Sequence, residues 1–148
     1  MRRGAVAVAP PGRGGRLAIV SRVTTILIAA DGAWVRNQVR TALAGPDQDV
    51  IEVDSGPDVR DIVAQRHPDV VILDLQIGNM GGFAVAIDLH LEASGGRAPE
   101  VPIVLLLDRE ADRFLAKRAD VEAELVKPFD AGTLRRTVKR VLAERATT

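Results

Sequence analysis

Four polar side chains in this sequence stand at the ends of short apolar runs. Asp31 follows Thr24 to Ala30, Asp74 closes Asp69 to Leu73, Asp108 follows Val101 to Leu107, and Lys127 follows Ala123 to Val126. Short apolar runs of this kind read as buried strands. If they lie in one open α/β sheet, their carboxyl ends border the crevice where ligands of such sheets bind. Asp31, Asp74 and the ammonium of Lys127 then converge on one edge. A carboxylate pair is a minimal magnesium site, since this ion takes one or two carboxylates and keeps several waters. A lysine is a point charge suited to a phosphoryl oxygen. Metal and lysine around an unblocked aspartate are what phosphoryl transfer to a carboxylate requires, because charge on the transferring oxygens must be neutralised and the nucleophile held in line. Spacing alone leaves a second reading open. Strands often end in aspartate and lysine before proline is commonplace, so these can also be ordinary loop polars.

The elements that must position these groups alternate. Between the runs at Thr24–Ala30 and Val50–Val53, the stretch Ala33 to Leu43 places Val35, Val39, Ala42 and Leu43 on one helical face and ends before Gly45-Pro46. Ser55-Gly-Pro-Asp58 opens a helix with Ser55 as cap, whose inner face is Val59, Ile62 and Val63. A third strand spans Asp69 to Asp74, and Gly82 to Ala93 is helical. The loop Ser94 to Glu100 leads into a fourth strand, Val101 to Leu107. Asp108-Arg109-Glu110-Ala111 reads as a capped helix start running to about Arg118, and Ala123 to Val126 is the fifth strand. Asp130 caps a final helix with Leu134, Val138, Val141 and Leu142 on its inner stripe. The order βαβαβαβαβα calls for a parallel sheet sandwiched between helices with right-handed crossovers.

Composition narrows the chemistry. The chain has 148 residues, enough for one domain, and no cysteine, which excludes disulfides, thiolate zinc sites and cysteine nucleophiles. The two histidines, His67 and His90, are far apart in sequence, which argues against an all-histidine metal centre. Aromatics make up 3%, leaving little to stack on single-stranded nucleic acid. Residues 1–22 carry five arginines and no acid and read as a basic, disordered extension, with apolar runs too short for a secretory signal. The rest has 15 basic and 20 acidic side chains, a net of −5, which repels phosphate backbones and disfavours direct DNA binding. No stretch reaches the roughly 20 apolar residues of a membrane span, so a cytoplasmic location is expected. Gly12-Arg-Gly14-Gly15 does not fit a dinucleotide fingerprint, and no bound organic cofactor is expected.

Three segments occur in order: Ile26-Leu27-Ile28 leading to Asp31 and Arg36, Pro68 through Asp74 to Gly82-Phe83, and Lys127-Pro128-Phe129. With them, residues 23–148 resemble the receiver (phosphoacceptor) domain of bacterial two-component response regulators. That resemblance implies a flavodoxin-like, doubly wound five-stranded parallel sheet, (βα)5, in a three-layer α/β sandwich. It implies that Asp74 is the phosphoacceptor and Lys127 the phosphoryl-binding lysine. Magnesium would be held by Asp31, Asp74 and the backbone carbonyl of Gln76.

Departures from the family pattern are as informative. The first pocket acid is Ala30, so magnesium binding is expected to be weak. The hydroxyl residue that ends strand four and binds the phosphoryl group is Leu107, which has no hydroxyl to donate. The aromatic switch position is Glu124, and Gly78 and Gly81 replace a proline and an aspartate of the acceptor loop. The expectation is a partly degenerate, stand-alone receiver with no DNA-binding output module, and not an enzyme. It would take a phosphoryl group from a sensor histidine kinase or phosphotransfer protein on Asp74 and signal by protein contact. The competing expectation is a phosphorylation-independent interaction module on the same scaffold. The face built from helix four, strand five and helix five, with Arg113, Lys117, Arg118 and Glu124, is where the family often forms homodimers.

Overall fold

A computed structural model describes residues 22–147. The elements are β1 (Thr24–Ala29), α1 (Ala33–Leu43), β2 (Gln48–Val53), α2 (Gly56–Arg66), β3 (Val70–Asp74), α3 (Gly82–Ser94), β4 (Ile103–Leu107), α4 (Arg113–Ala119), β5 (Ala123–Val126) and α5 (Ala131–Ala146), with a 3₁₀ turn, Glu110–Asp112, leading into α4. All five strands are parallel, in the order β2-β1-β3-β4-β5. The chain winds from β1 outward to β2, then crosses back to β3 on the other side. Loops leaving β1 and β3 therefore diverge, and a crevice opens at this switch point beyond Asp31 and Asp74.

Alternation along the strands builds two cores. Ile26, Ile28, Ile72, Val104 and Leu106 point to one face and pack on α1 and α5 through Val35, Val39, Leu134, Val138 and Val141. Leu27, Leu73, Leu105 and Leu107 point to the other and pack on α2, α3 and α4 through Val59, Val63, Val85, Leu89 and Ala116. Each such side chain, fully buried, contributes about 1.5–3 kcal/mol, and most of these strand residues are 0% exposed. Ile26, Ile28, Ile72, Val104 and Leu106 are all buried strand residues.

The two edge strands carry charge. On β2, Asp49 pairs with Arg66 at 3.0 Å and Glu52 with Arg36 at 3.6 Å and with Arg40. On β5, Glu124 pairs with Arg113 at 2.8 Å.

Some local expectations change. β2 starts at Gln48, because hydrogen bonding to β1 carries the strand through exposed polar residues that periodicity passes over. β4 starts at Ile103, since Pro102 has no N–H for the ladder. Ser55 is the N-cap residue of α2 but its side chain makes no capping bond. Asp108 does not cap a helix. The 3₁₀ turn is opened by Arg109, whose N–H donates to Asp112 Oδ2 at 3.1 Å and whose guanidinium donates to Asp112 Oδ1 at 2.9 Å. The Asp130 cap forms as expected, Oδ1 accepting from the Thr133 N–H at 2.7 Å. Trp34, at the start of α1, is 65% exposed. His90 Nε2 donates to the carbonyls of Ala119 (2.8 Å) and Asp120 (3.2 Å), clipping α3 to the end of α4. The basic extension expected over 1–22 lies outside the described residues except for Arg22, which pairs with Asp69 at 2.5 Å.

Candidate functional site

Asp74 is the last residue of β3, 1% exposed, at the floor of the crevice. What closes over it is the start of α3: a Cβ on Gly82 would collide with the Asp74 carbonyl oxygen, so only glycine allows that approach. Lys127 follows β5 and precedes a cis Pro128. Its backbone N–H donates to the Leu107 carbonyl at 2.9 Å, and its side chain crosses the end of β4 to reach Asp74.

Lys127 Nζ donates to Asp74 Oδ1 at 2.6 Å and to Asp108 Oδ1 at 3.0 Å. Asp74 Oδ1 also accepts the Gln76 N–H at 3.2 Å, while Oδ2 accepts no hydrogen bond among the described residues. The Gln76 side chain donates through Nε2 to Asp108 Oδ2 at 2.9 Å. One ammonium and one amide thus tie together residues from three different strand ends. Burial pushes the Asp74 carboxyl above the ordinary aspartate range, and the nearby Asp108 charge adds to it, outweighing the hydrogen bonds from Lys127 and Gln76. For Lys127, burial works against the charged form, but its bonds to Asp74 and Asp108 win and raise its pKa. Burial also opposes ionisation of Asp108, yet the bonds from Gln76 and Lys127 leave its pKa lowered, so it is a carboxylate at neutral pH.

On the opposite side, Asp31 follows β1. Its N–H donates to the Gln76 carbonyl at 2.8 Å, which brings the two expected metal ligands side by side and leaves that carbonyl one lone pair. Its carboxylate is exposed and takes no hydrogen bond among the described residues. Ala30 is 0% exposed. Arg36 reaches from α1 to clamp the carbonyls of Ala30 (2.7 Å) and Asp31 (3.0 Å), adding positive charge to this rim.

The donor set fits a divalent cation sparsely. Asp31, the Asp74 carboxylate and the Gln76 carbonyl are hard oxygen donors, which matches an ion that fills most of its shell with water. Among the described residues, no three histidine, cysteine or acidic side chains are grouped to hold a metal.

The structure therefore brings Asp74 and Lys127 together directly, and joins Asp31 and Gln76 through their backbones. Sequence reasoning missed Asp108 and the Gln76 amide as parts of the same network, and Arg36 as a backbone clamp. The available signal was position: Asp108 follows β4 at the carboxyl edge, like the other three.

Comparison with known proteins bears on this geometry. The sequence matches the response regulator receiver domain family over residues 26–139. It is similar to protein PilH of Pseudomonas aeruginosa, 30% identical over 118 residues covering 80% of this chain and 97% of PilH. It is also similar to the KDP operon transcriptional regulatory protein KdpE of Escherichia coli, 30% identical over 128 residues covering 85% of this chain. The chain spans about half the length of KdpE (54%) and of a regulator, ycf27 of Porphyridium aerugineum (47%). The fold is that of the receiver domain of sensor histidine kinase PA1611 from Pseudomonas aeruginosa, which was crystallised with magnesium coordinated in its active site cleft (TM-score 0.71, 21% identity, covering 82% of this chain and 98% of that one). Chemotaxis protein CheY4 of Vibrio cholerae shares it too (TM-score 0.68, 23% identity, 80% and 98% covered).

Proposed function

The chain belongs to the response regulator receiver domain family, and from that premise we propose that it accepts a phosphoryl group on Asp74 from a sensor histidine kinase or a phosphotransfer protein. Receiver domains are modules of two-component signalling and not enzymes in the ordinary sense. One observation carries the reading: a carboxylate at the floor of the switch-point crevice has one oxygen held by Lys127 at 2.6 Å and the other unbonded. Asp74 Oδ2 is the atom available to attack phosphorus. The new P–O bond forms as the P–N bond of a phosphohistidine breaks, and the released imidazole takes up a proton. Lys127 neutralises charge on the phosphoryl oxygens as they spread it in the transition state. Asp31, Asp74 and the Gln76 carbonyl would hold magnesium, which when bound supplies further charge neutralisation at the phosphoryl group.

Output proceeds by protein contact in this reading, in the cytoplasm and without direct DNA binding by this domain. The domain proper comprises residues 23–148. No helix among the described residues is long and apolar enough to cross a membrane. The α4-β5-α5 face is the surface proposed for a partner or a second copy, and Phe114 stands 55% exposed on α4.

A second reading has its own support. Leu107 is 0% exposed and committed to the core, and Glu124 is ion-paired to Arg113, so neither offers the hydroxyl or the aromatic ring that the family uses to transmit the modification. On that basis the domain acts as a phosphorylation-independent interaction module. Intact mass after treatment with acetyl phosphate and magnesium separates the two. Addition of one phosphoryl group, absent in Asp74→Asn, supports the first; no addition, or equal addition to Asp74→Asn, rejects it.

A further inference from the structure

Asp108 sits where a second negative charge is least welcome for the transfer just described. Its Oδ1 takes one hydrogen of the Lys127 ammonium at 3.0 Å, while Oδ2 is fastened by the Gln76 amide at 2.9 Å. The carboxylate is thereby held on the same ammonium that Asp74 uses, and Lys127, 16% exposed, has no other side-chain partner among the described residues. Phosphoryl oxygens that arrive beside Asp74 meet a lysine whose charge is already shared with Asp108, and a dianion is seated next to a fixed carboxylate. Asp108 caps no helix, lies one third exposed, and the 3₁₀ turn after it is held by Arg109 and Asp112.

We propose that Asp108 is a negative positioning residue: it locks Lys127 and throttles phosphoryl transfer to Asp74, with Gln76 as the strut that keeps it aimed. The proposal rests on Asp74 being the phosphoacceptor. It makes Asp108 a determinant of rate that acts through Lys127 without touching the nucleophile. The lock opens when phosphoryl oxygens replace the Asp108 carboxylate as the partner of the lysine.

The test uses the full chain and two readouts. Asp108→Ala removes the carboxylate, and Asp108→Asn keeps the shape without the charge should the first variant fail to fold. The nitrogen NMR resonance of the Lys127 ammonium, read against those of Lys117 and Lys139, reports the ion pair without any phosphorylation. The rate of Asp74 labelling by acetyl phosphate with magnesium reports the throttle. In that reaction the Asp74 P–O bond forms as acetate leaves. Expected are a displaced Lys127 resonance and labelling about ten-fold faster, the size of one removed charge at a partly exposed site. Dependence of the rate on ionic strength should weaken, which a merely structural role would not produce. An unmoved Lys127 resonance overturns the lock. A moved resonance with unchanged or slower labelling overturns the throttle. A moved resonance with no labelling of either protein removes the phosphoacceptor reading and the throttle with it, while leaving the ion pair itself established.

Discussion

Replacing Lys127 with methionine keeps the length of the stem and deletes the charge. Asp74 is then a carboxylate, 1% exposed, supported only by the Gln76 N–H. At an effective dielectric of about 20, opposite charges about 4 Å apart attract by roughly 4 kcal/mol before any desolvation is counted. Because Lys127 keeps 16% of its side chain in solvent, the net coupling should be smaller, on the order of 2–3 kcal/mol. Burial already holds the folded pKa of Asp74 above its unfolded value. Losing the lysine raises it further, so the variant escapes part of the cost by protonating. The unfolded state is common to both proteins, so the sign follows from the folded ones. Below the native folded pKa Asp74 is protonated in both and the loss is small; the loss grows as pH rises from there toward the variant's higher folded pKa, above which it levels off. In an Asp74→Asn background the same substitution removes only the pairing with Asp108, which is one third exposed, and should cost less than about 1 kcal/mol. Urea unfolding of the four proteins of this cycle at neutral pH, repeated under acid conditions, gives the coupling directly. A coupling below about 0.5 kcal/mol at neutral pH, or one that does not shrink in acid, would refute the reasoning.

Further expectations concern the metal side, the core and the last helix. Ala30→Asp should bind magnesium about ten-fold more tightly than the native protein, by titration of Trp34 fluorescence; equal affinities would show that the missing acid does not matter. Because position 30 is 0% exposed, that variant should also melt lower without magnesium and regain stability as the ion is added. Leu107→Thr should enlarge the structural response to phosphorylation, seen as more amide resonances shifting around β4, and should cost about 2–4 kcal/mol of stability because Leu107 is fully packed. Asp130→Ala should lower the melting temperature at neutral pH. Backbone and side-chain hydrogen bonds at Thr133 hold the Asp130 carboxyl below its usual range, so its stabilisation is present above the unfolded pKa and fades as pH falls through the lower folded one. Equal melting of Asp130→Ala and native protein at neutral pH would remove the cap from the account.

Strands and core were legible because burial on both faces leaves runs such as Val70 to Leu73 and Ile103 to Leu107 with no polar interruption. The pairing of Asp74 with Lys127 was legible from strand ends alone, since a parallel sheet brings all carboxyl termini to one edge. Asp108 was not. Asp-Arg-Glu-Ala satisfies the local chemistry of a helix start, and only the tertiary pull of Lys127 and Gln76 decides that the carboxylate turns toward the sheet. Ser55 failed as a cap for a related reason: a hydroxyl preceding a helix states a capacity to bond, while the fold decides whether it is used. Trp34 stands exposed because the inner face of α1 is already filled by Val35, Val39, Ala42 and Leu43. The clamping role of Arg36 was not legible because bonding two carbonyls leaves no trace in residue type or spacing.

The charged edges of the sheet limit how this protein can assemble. A strand of another chain that approached β2 would meet Asp49 and Glu52 with their arginines, and one approaching β5 would meet the Glu124–Arg113 pair on a ladder of only four residues. Bare amide and carbonyl rows on exposed strands invite templated growth into fibrils or exchange of strands between copies, and charged side chains on short edges discourage both. Recognition by extending the sheet is disfavoured at either end. Encounters are thereby steered to helix surfaces and loops, where contacts are made by side chains and can be broken again without unzipping a backbone ladder.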